Sequence, residues 1–193
     1  GIAAKRLGSD EVVDIAGGIY ANVRRVAVVY LVITLIGVCA LLAVGESVLD
    51  AIVYTMTAVS TGGFANHDAS LAGVASAPAR GLITLLSLAG AISFSWYYLG
   101  YYRHAASLLR EPQFRGLLVV CTITVVTLFG FMSLAHPEQL ADNLANAALT
   151  GISAQTTTGF SSLPLAELDP GSKLTLIVSM FIVLPSPAEI AAG

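Results

Sequence analysis

Two short polar stretches constrain this chain most: Ser60-Thr61-Gly62-Gly63-Phe64 and Thr156-Thr157-Thr158-Gly159-Phe160. Gly63 and Gly159 stand 96 residues apart, as do Phe64 and Phe160. Each stretch follows a short apolar segment and precedes a longer apolar run. The match extends outward at the same offset: Asp50 falls opposite Asn146, and Thr57 opposite Ser153. Arg80 and Lys173 each stand just before the second long run of their half. The joint pattern points to a duplicated unit.

The surroundings of these stretches set the solvent. The chain is 56% hydrophobic and only 11% charged, against about 25% charged in soluble domains. Residues 26–44, 81–102 and 116–135 contain no Asp, Glu, Lys or Arg. Each is long enough to cross a hydrocarbon core of about 30 Å as a helix. A fourth apolar run starts at Leu174 and meets Pro185 and Pro187. Between the spans lie shorter segments. Ser47 is placed to cap a helix over residues 48–59, and Asp142 or Asn143 to cap one reaching Ala154. Both are too short to span. The expected fold is therefore an all-α membrane protein with two copies of span, pore helix, loop and span. The expected organisation is an interfacial segment over 1–25, a first repeat over 26–102, a connector over 103–115 and a second repeat over 116–193.

Other classes lose support. A net charge of −3, with no basic arm, argues against a nucleic-acid partner. Cys39 and Cys121 sit inside apolar runs and read as small hydrophobes, not as a disulfide or metal pair. No signal-peptide pattern precedes the first run, and the chain is expected to be part of a longer protein. Asp10 could cap a short amphipathic helix carrying Val12, Val13 and Ile15. Trp96, Tyr97, Tyr98, Tyr101 and Tyr102 read as an interfacial aromatic belt.

Charge sets the orientation. Lys5, Arg6, Arg24, Arg25, Arg103, Arg110 and Arg115 fall on one side of the expected topology, which the positive-inside rule makes cytoplasmic. The loops then enter from outside. Glu46, Asp50, Asp68, Glu138, Asp142, Glu167 and Asp169 lie near an acidic outer mouth that would concentrate cations.

Irregular backbone at membrane depth is tolerated where it is buried in protein or lines a cavity. A dehydrated alkali cation needs oxygen ligands, and successive backbone carbonyls can supply them. Gly62, Gly63 and Gly159 allow the left-handed conformations that turn neighbouring carbonyls to one side. Thr61, Thr157 and Thr158 can add hydroxyl oxygens or anchor the loop. Phe64 and Phe160 are expected to wedge the loops against surrounding helices. The half-helices run toward the loops, so their C-terminal dipole ends favour a cation. Asn66-His67-Asp68 with Ser70 looks superficially catalytic, but adjacent residues rarely form a triad. Anchoring the loop is the expected role.

These residues also carry a resemblance. Residues 60–64 followed by Asn66-His67-Asp68-Ala69-Ser70 resemble the second pore loop of Trk/Ktr-type potassium transporter membrane subunits. The stretch Leu109-Arg110-Glu111-Pro112-Gln113-Phe114-Arg115 is similar to their connector, and residues 156–160 resemble the third loop. The resemblance runs from about residue 12 to 180. It implies four units in pseudo-fourfold order around one pore, of which two are present here. It implies potassium, the transported substrate, coordinated by Thr61, Gly62, Gly63, Thr157, Thr158 and Gly159. Ser60, Phe64, Asp68, Thr156 and Phe160 would support the filter. It further implies a multi-pass protein of the bacterial plasma membrane, no cofactor, a homodimeric membrane part and a cytosolic nucleotide-binding regulatory subunit. Where the family's third unit carries a glycine- and serine-rich gating loop, this sequence reads Ile182-Val183-Leu184-Pro185-Ser186-Pro187-Ala188. The alternatives are a sodium or ammonium carrier on the same scaffold, an intramembrane enzyme using His67, Asp68 and Ser70, and a non-transporting scaffold.

Overall fold

The computed structural model describes residues 23–24, 26–67, 69–92, 112–164, 166 and 168–182. The expected helix near Asp10, the aromatic belt at 96–102, most of the connector, Asp68 and the interruption at Pro185 lie outside the described residues. Six α-helices form the described part: α1 over Val26–Ala43, α2 over Val48–Val59, α3 over Ala77–Ala91, α4 over Pro112–Ala135, α5 over Leu140–Gln155 and α6 over Pro170–Phe181. A 3₁₀ turn covers Ser70–Gly73. No strand occurs among the described residues. The order long helix, half-helix, loop, second helix occurs twice.

Cap chemistry sets the helix limits more finely than hydrophobicity does. Ser47 caps α2 as expected: its Oγ accepts from the Asp50 amide at 3.1 Å and donates to the Asp50 carboxylate at 2.7 Å. α3 begins at Ala77, not at Gly81, because Ser76 accepts from the Ala79 amide and Pro78 lies in the first turn. It ends at Ala91, where Ile92 turns to extended backbone. α4 begins at Pro112, not at Gly116; a proline at the first helical position lacks an amide that would have had no partner. The helices thus reach past the uncharged runs and take in Arg80 and Arg115. Neither Asp142 nor Asn143 caps α5. That position belongs to Gln139, with no side-chain bond. Asn143, 5% exposed, instead donates to the carbonyls of His136 at 2.8 Å and Met132 at 3.4 Å. It thereby adds a second donor at the carbonyl end of the preceding helix, where Met132 and His136 also accept from the His136 and Gln139 amides.

α1 and the Phe114–Ala135 part of α4 are long and apolar enough to cross a membrane. Their most apolar windows are only 11% and 28% buried, whereas the core helix of a soluble protein would be mostly buried. Val28, Leu31, Leu35 and Ile36 on α1, and Val119, Ile123 and Val126 on α4, face outward. Hydroxyls on the helices turn back to their own backbone: Thr57 to Val53, Ser87 to Ile83, Thr122 to Leu118 and Thr127 to Ile123, all within 3.0 Å. Such back-bonding satisfies a hydroxyl where no water can.

Two cores hold the units. The first comprises Leu41, Ala51, Tyr54, Ala58, Leu71, Val74, Ala79 and Ile83, joined by Phe160 from the second unit. The second comprises Leu128, Met132, Ala147, Ala154 and Leu176. α3 packs on α2 within its unit and on α5 across the boundary, while α4, α5 and α6 pack mutually. Close backbone approach fixes α3 against the foot of α2, since a methyl built on Gly90 would overlap the Val59 carbonyl.

Replacing Asn143 by alanine removes its bonds to the His136 and Met132 carbonyls. The expected loss is about 0.5–1.5 kcal/mol from the bonds, measured as a lower denaturant midpoint in detergent micelles. An unchanged midpoint would show that the bonds contribute nothing.

Candidate functional site

Both half-helices end in the same hydrogen-bonded closure. The Gly62 amide reaches back to the Thr57 carbonyl at 2.8 Å, and the Thr61 amide to Ala58 at 3.1 Å. In the second unit Thr158 bonds to Ser153 at 3.0 Å and Thr157 to Ala154 at 3.1 Å. This is the Schellman pattern, whose left-handed position is normally glycine. Here it is threonine in both copies, with φ of 52° at Thr61 and 56° at Thr157. A β-branched residue in this region is strained, at about 1–3 kcal/mol. Gly63 and Gly159 follow with φ of 68° and 80°.

Left-handed residues at 61 and 63, and again at 157 and 159, alternate with residues of negative φ. This alternation puts amides on one side and carbonyls on the other. The amides of Thr61, Gly62, Thr157, Thr158 and Gly159 are all bonded back to their half-helices. Among the described residues no donor reaches the carbonyls of Thr61, Gly62, Gly63, Thr157, Thr158 or Gly159. Such a surface offers little to an anion and a row of oxygens to a cation. The partial negative charge of each half-helix terminus adds in the same sense. No cluster of three His, Cys, Asp or Glu side chains that could hold a metal ion occurs among the described residues.

The two loops are in contact. A methyl built on Gly63 would overlap the Thr158 carbonyl oxygen, whereas the corresponding space at Gly159 is open. The threonine hydroxyls anchor the second loop: Thr156 bonds to the Ser153 carbonyl at 3.2 Å and to the Thr158 hydroxyl at 2.9 Å, and Thr157 to the Thr156 carbonyl at 2.7 Å. The Thr157 and Thr158 hydroxyls therefore take part in anchoring the loop. Ser60 makes a weaker bond to Thr57 at 3.4 Å.

The two phenylalanines behave differently. Phe160 is 2% exposed, its ring 6.0 Å from that of Tyr54. Phe64 is 74% exposed: nothing among the described residues stands where the first unit stands for Phe160.

Behind the first loop, Asn66 donates to Asp50 at 2.9 Å, and His67 Nε2 lies 3.9 Å from the same carboxylate. Ser70, also left-handed at φ 53°, takes the Tyr54 hydroxyl on its carbonyl and the Ser161 amide on its Oγ. Ser70 thus joins the two units. In the second unit a Thr150–Ser162 hydroxyl pair at 2.9 Å replaces the Asp50–Asn66 tie. Gln155, 6% exposed, was not singled out from the sequence. Its Nε2 donates to the Ile182 carbonyl at 3.1 Å, so it ties the foot of the second loop to the end of α6. The available signal was an amide in the last turn of a half-helix.

The Asn66 bond, and then that of Ser47, holds the Asp50 carboxyl below the usual carboxylate range. Because the folded value lies below that of the unfolded chain, the charged tie contributes fully above about pH 4. It is lost as pH falls through the depressed value. Thermal midpoints of the unsubstituted protein and of Asn66→Ala should therefore differ at neutral pH and converge in acid. Curves that stay parallel would refute the tie.

The chain is similar to known proteins. Residues 11–188 match the family described as TrkH, cation transport protein. The chain is 32% identical over 155 residues to the Trk system potassium uptake protein TrkI of Halomonas elongata, covering 80% of this chain and 31% of that protein. It is 26% identical over 160 residues to the Trk system potassium uptake protein TrkH of Vibrio parahaemolyticus, covering 80% and 33%. The crystal structure of the potassium transporter TrkH from Vibrio parahaemolyticus superimposes with a TM-score of 0.76 at 21% identity, over 83% of this chain and 35% of that one. The chain thus spans about a third of the length of these relatives. With its match over residues 11–188, it belongs to the TrkH family of cation transport proteins.

Proposed function

We propose that this chain supplies two of the four loops of a potassium-selective filter, and that the protein containing it takes up potassium across a bacterial plasma membrane. The observation that carries this reading is the pair of touching loops of like hand, with amides bonded away and carbonyls left for an ion. Partially dehydrated potassium passes down its electrochemical gradient from one ring of carbonyls to the next, and no covalent step is needed. Thr61, Gly62 and Gly63, with Thr157, Thr158 and Gly159, supply half of each ring. The names of the relatives support potassium as the cargo and a Trk-type system as the setting. In that setting the membrane part is a homodimer and works with a cytosolic nucleotide-binding subunit.

Ion flux in cells lacking other potassium uptake tests the reading, and the two glycines should respond unequally. Gly63→Ala adds left-handed strain of about 1–2 kcal/mol and also pushes on the Thr158 carbonyl. Uptake should fall about ten-fold or more, the strain alone being worth roughly five- to thirty-fold. Gly159→Ala meets open space and carries the strain alone, so it should retain more uptake while potassium-over-sodium preference declines. Unchanged uptake and preference in both variants would refute the filter. Preferred uptake of sodium or ammonium by the unsubstituted protein would reassign the cargo.

A further inference from the structure

The closures that shape both loops start from the last turn of each half-helix. Each unit braces that turn against its own second helix, by different chemistry. In the first unit the brace is backbone against backbone. α3 approaches so closely that a methyl built on Gly90 would overlap the Val59 carbonyl, and Val59 is 2% exposed. Gln155 takes the place of Val59 in the second unit, 96 residues on. There a side-chain hydrogen bond makes the link, from Gln155 Nε2 to the Ile182 carbonyl at 3.1 Å. Ile182 is the residue that closes α6.

Packing alone does not account for Gln155. It is 6% exposed, and its Oε1 is buried with no partner among the described residues. A valine, as in the first unit, would leave nothing unpaired there. The buried Oε1 also presents no open face to an ion, so the residue is not itself a ligand. What it holds is the support of the ligands. The same turn contributes the Ser153 carbonyl, which takes the Thr158 and Gly159 amides and the Thr156 hydroxyl. The Thr158 carbonyl in turn lies against Gly63 of the first loop. A shift of that turn therefore moves carbonyls of both loops.

Resting on the filter reading of the loops, we propose that Gln155 is a positioning residue for potassium selection. Its bond to Ile182 fixes the last turn of α5, and with it the spacing of the Thr157, Thr158 and Gly159 carbonyls. Selection among alkali cations depends on the number and arrangement of such oxygens, and a site keeps its geometry only when held to within about 0.5 Å. Without the bond the turn is free to shift against the end of α6. The carbonyls then adapt to sodium, the smaller ion, as well as to potassium.

The test uses the full-length protein in cells lacking other potassium uptake. It reads the half-saturating potassium concentration and the potassium-over-sodium preference, neither of which depends on how much protein reaches the membrane. Gln155→Met keeps the length of the side chain and loses the donor. Its preference should fall, and its half-saturating concentration rise, by about two- to ten-fold, the worth of one neutral hydrogen bond. A lower maximal rate with both quantities unchanged would overturn the proposal and leave Gln155 a packing residue. Gln155→Glu keeps the shape of the amide and donates only when protonated. Its preference should match that of the unsubstituted protein in acid and decline as pH rises. A preference below that of the unsubstituted protein at every pH, acid included, would equally overturn the proposal, so this variant decides alone where Gln155→Met fails to fold. Gly159→Ala in the same assay separates the two readings. A changed preference there, with none in the Gln155 variants, removes the positioning role alone; no change in any of them removes the filter reading as well.

Discussion

Backbone groups that leave a helix inside a membrane find no water to bond to, and the structure of both units depends on how this is resolved. The half-helices are too short to span, at 12 and 16 residues. Their closures bring five amides of the two loops back onto half-helix carbonyls. Every such bond removes a donor from the loop face and leaves an acceptor. The cation preference proposed for the site therefore needs no charged side chain; it would follow from which half of each peptide group has been used. The same constraint explains the inward-turned hydroxyls of the long helices and the service that Asn143 gives to the end of α4.

The loops also store strain. Glycine would relieve the left-handed position at residues 61 and 157, yet both carry threonine. In the second loop the reason is visible. Thr157 bonds to the Thr156 carbonyl, and Thr156 pairs with Thr158, so the hydroxyls hold the chain in a shape that its φ angle alone disfavours. Strain at a site persists where its surroundings over-determine it. Here the surroundings include the neighbouring unit, since Thr158 rests on Gly63.

Much of this was legible in the sequence, and the failures have physical causes. Period and offset revealed the duplication, the half-helices and the paired loops, because these depend on local pattern. The Ser47 cap was legible for the same reason. The starts of α3 and α4 were not, because hydrophobicity marks the membrane-facing part of a helix and caps mark its ends. Asn143 was misread as a cap because its partners lie eleven and seven residues back, on another helix. The difference between Phe64 and Phe160 could not be read at all: the residues are chemically identical, and only the presence of an earlier neighbour distinguishes them.

That difference has a consequence for symmetry. The contact between the units is heterologous: one face contributes a ring, and an unlike face receives it. A heterologous contact has no two-fold axis to stop it, so repetition either closes into a ring or continues without limit. The pair accordingly ends in two unlike surfaces, a projecting aromatic at Phe64 and open space beside Gly159. The rotation from one unit to the next, set by packing well outside the loops, then fixes how many units a closed ring contains and so how wide its central opening is.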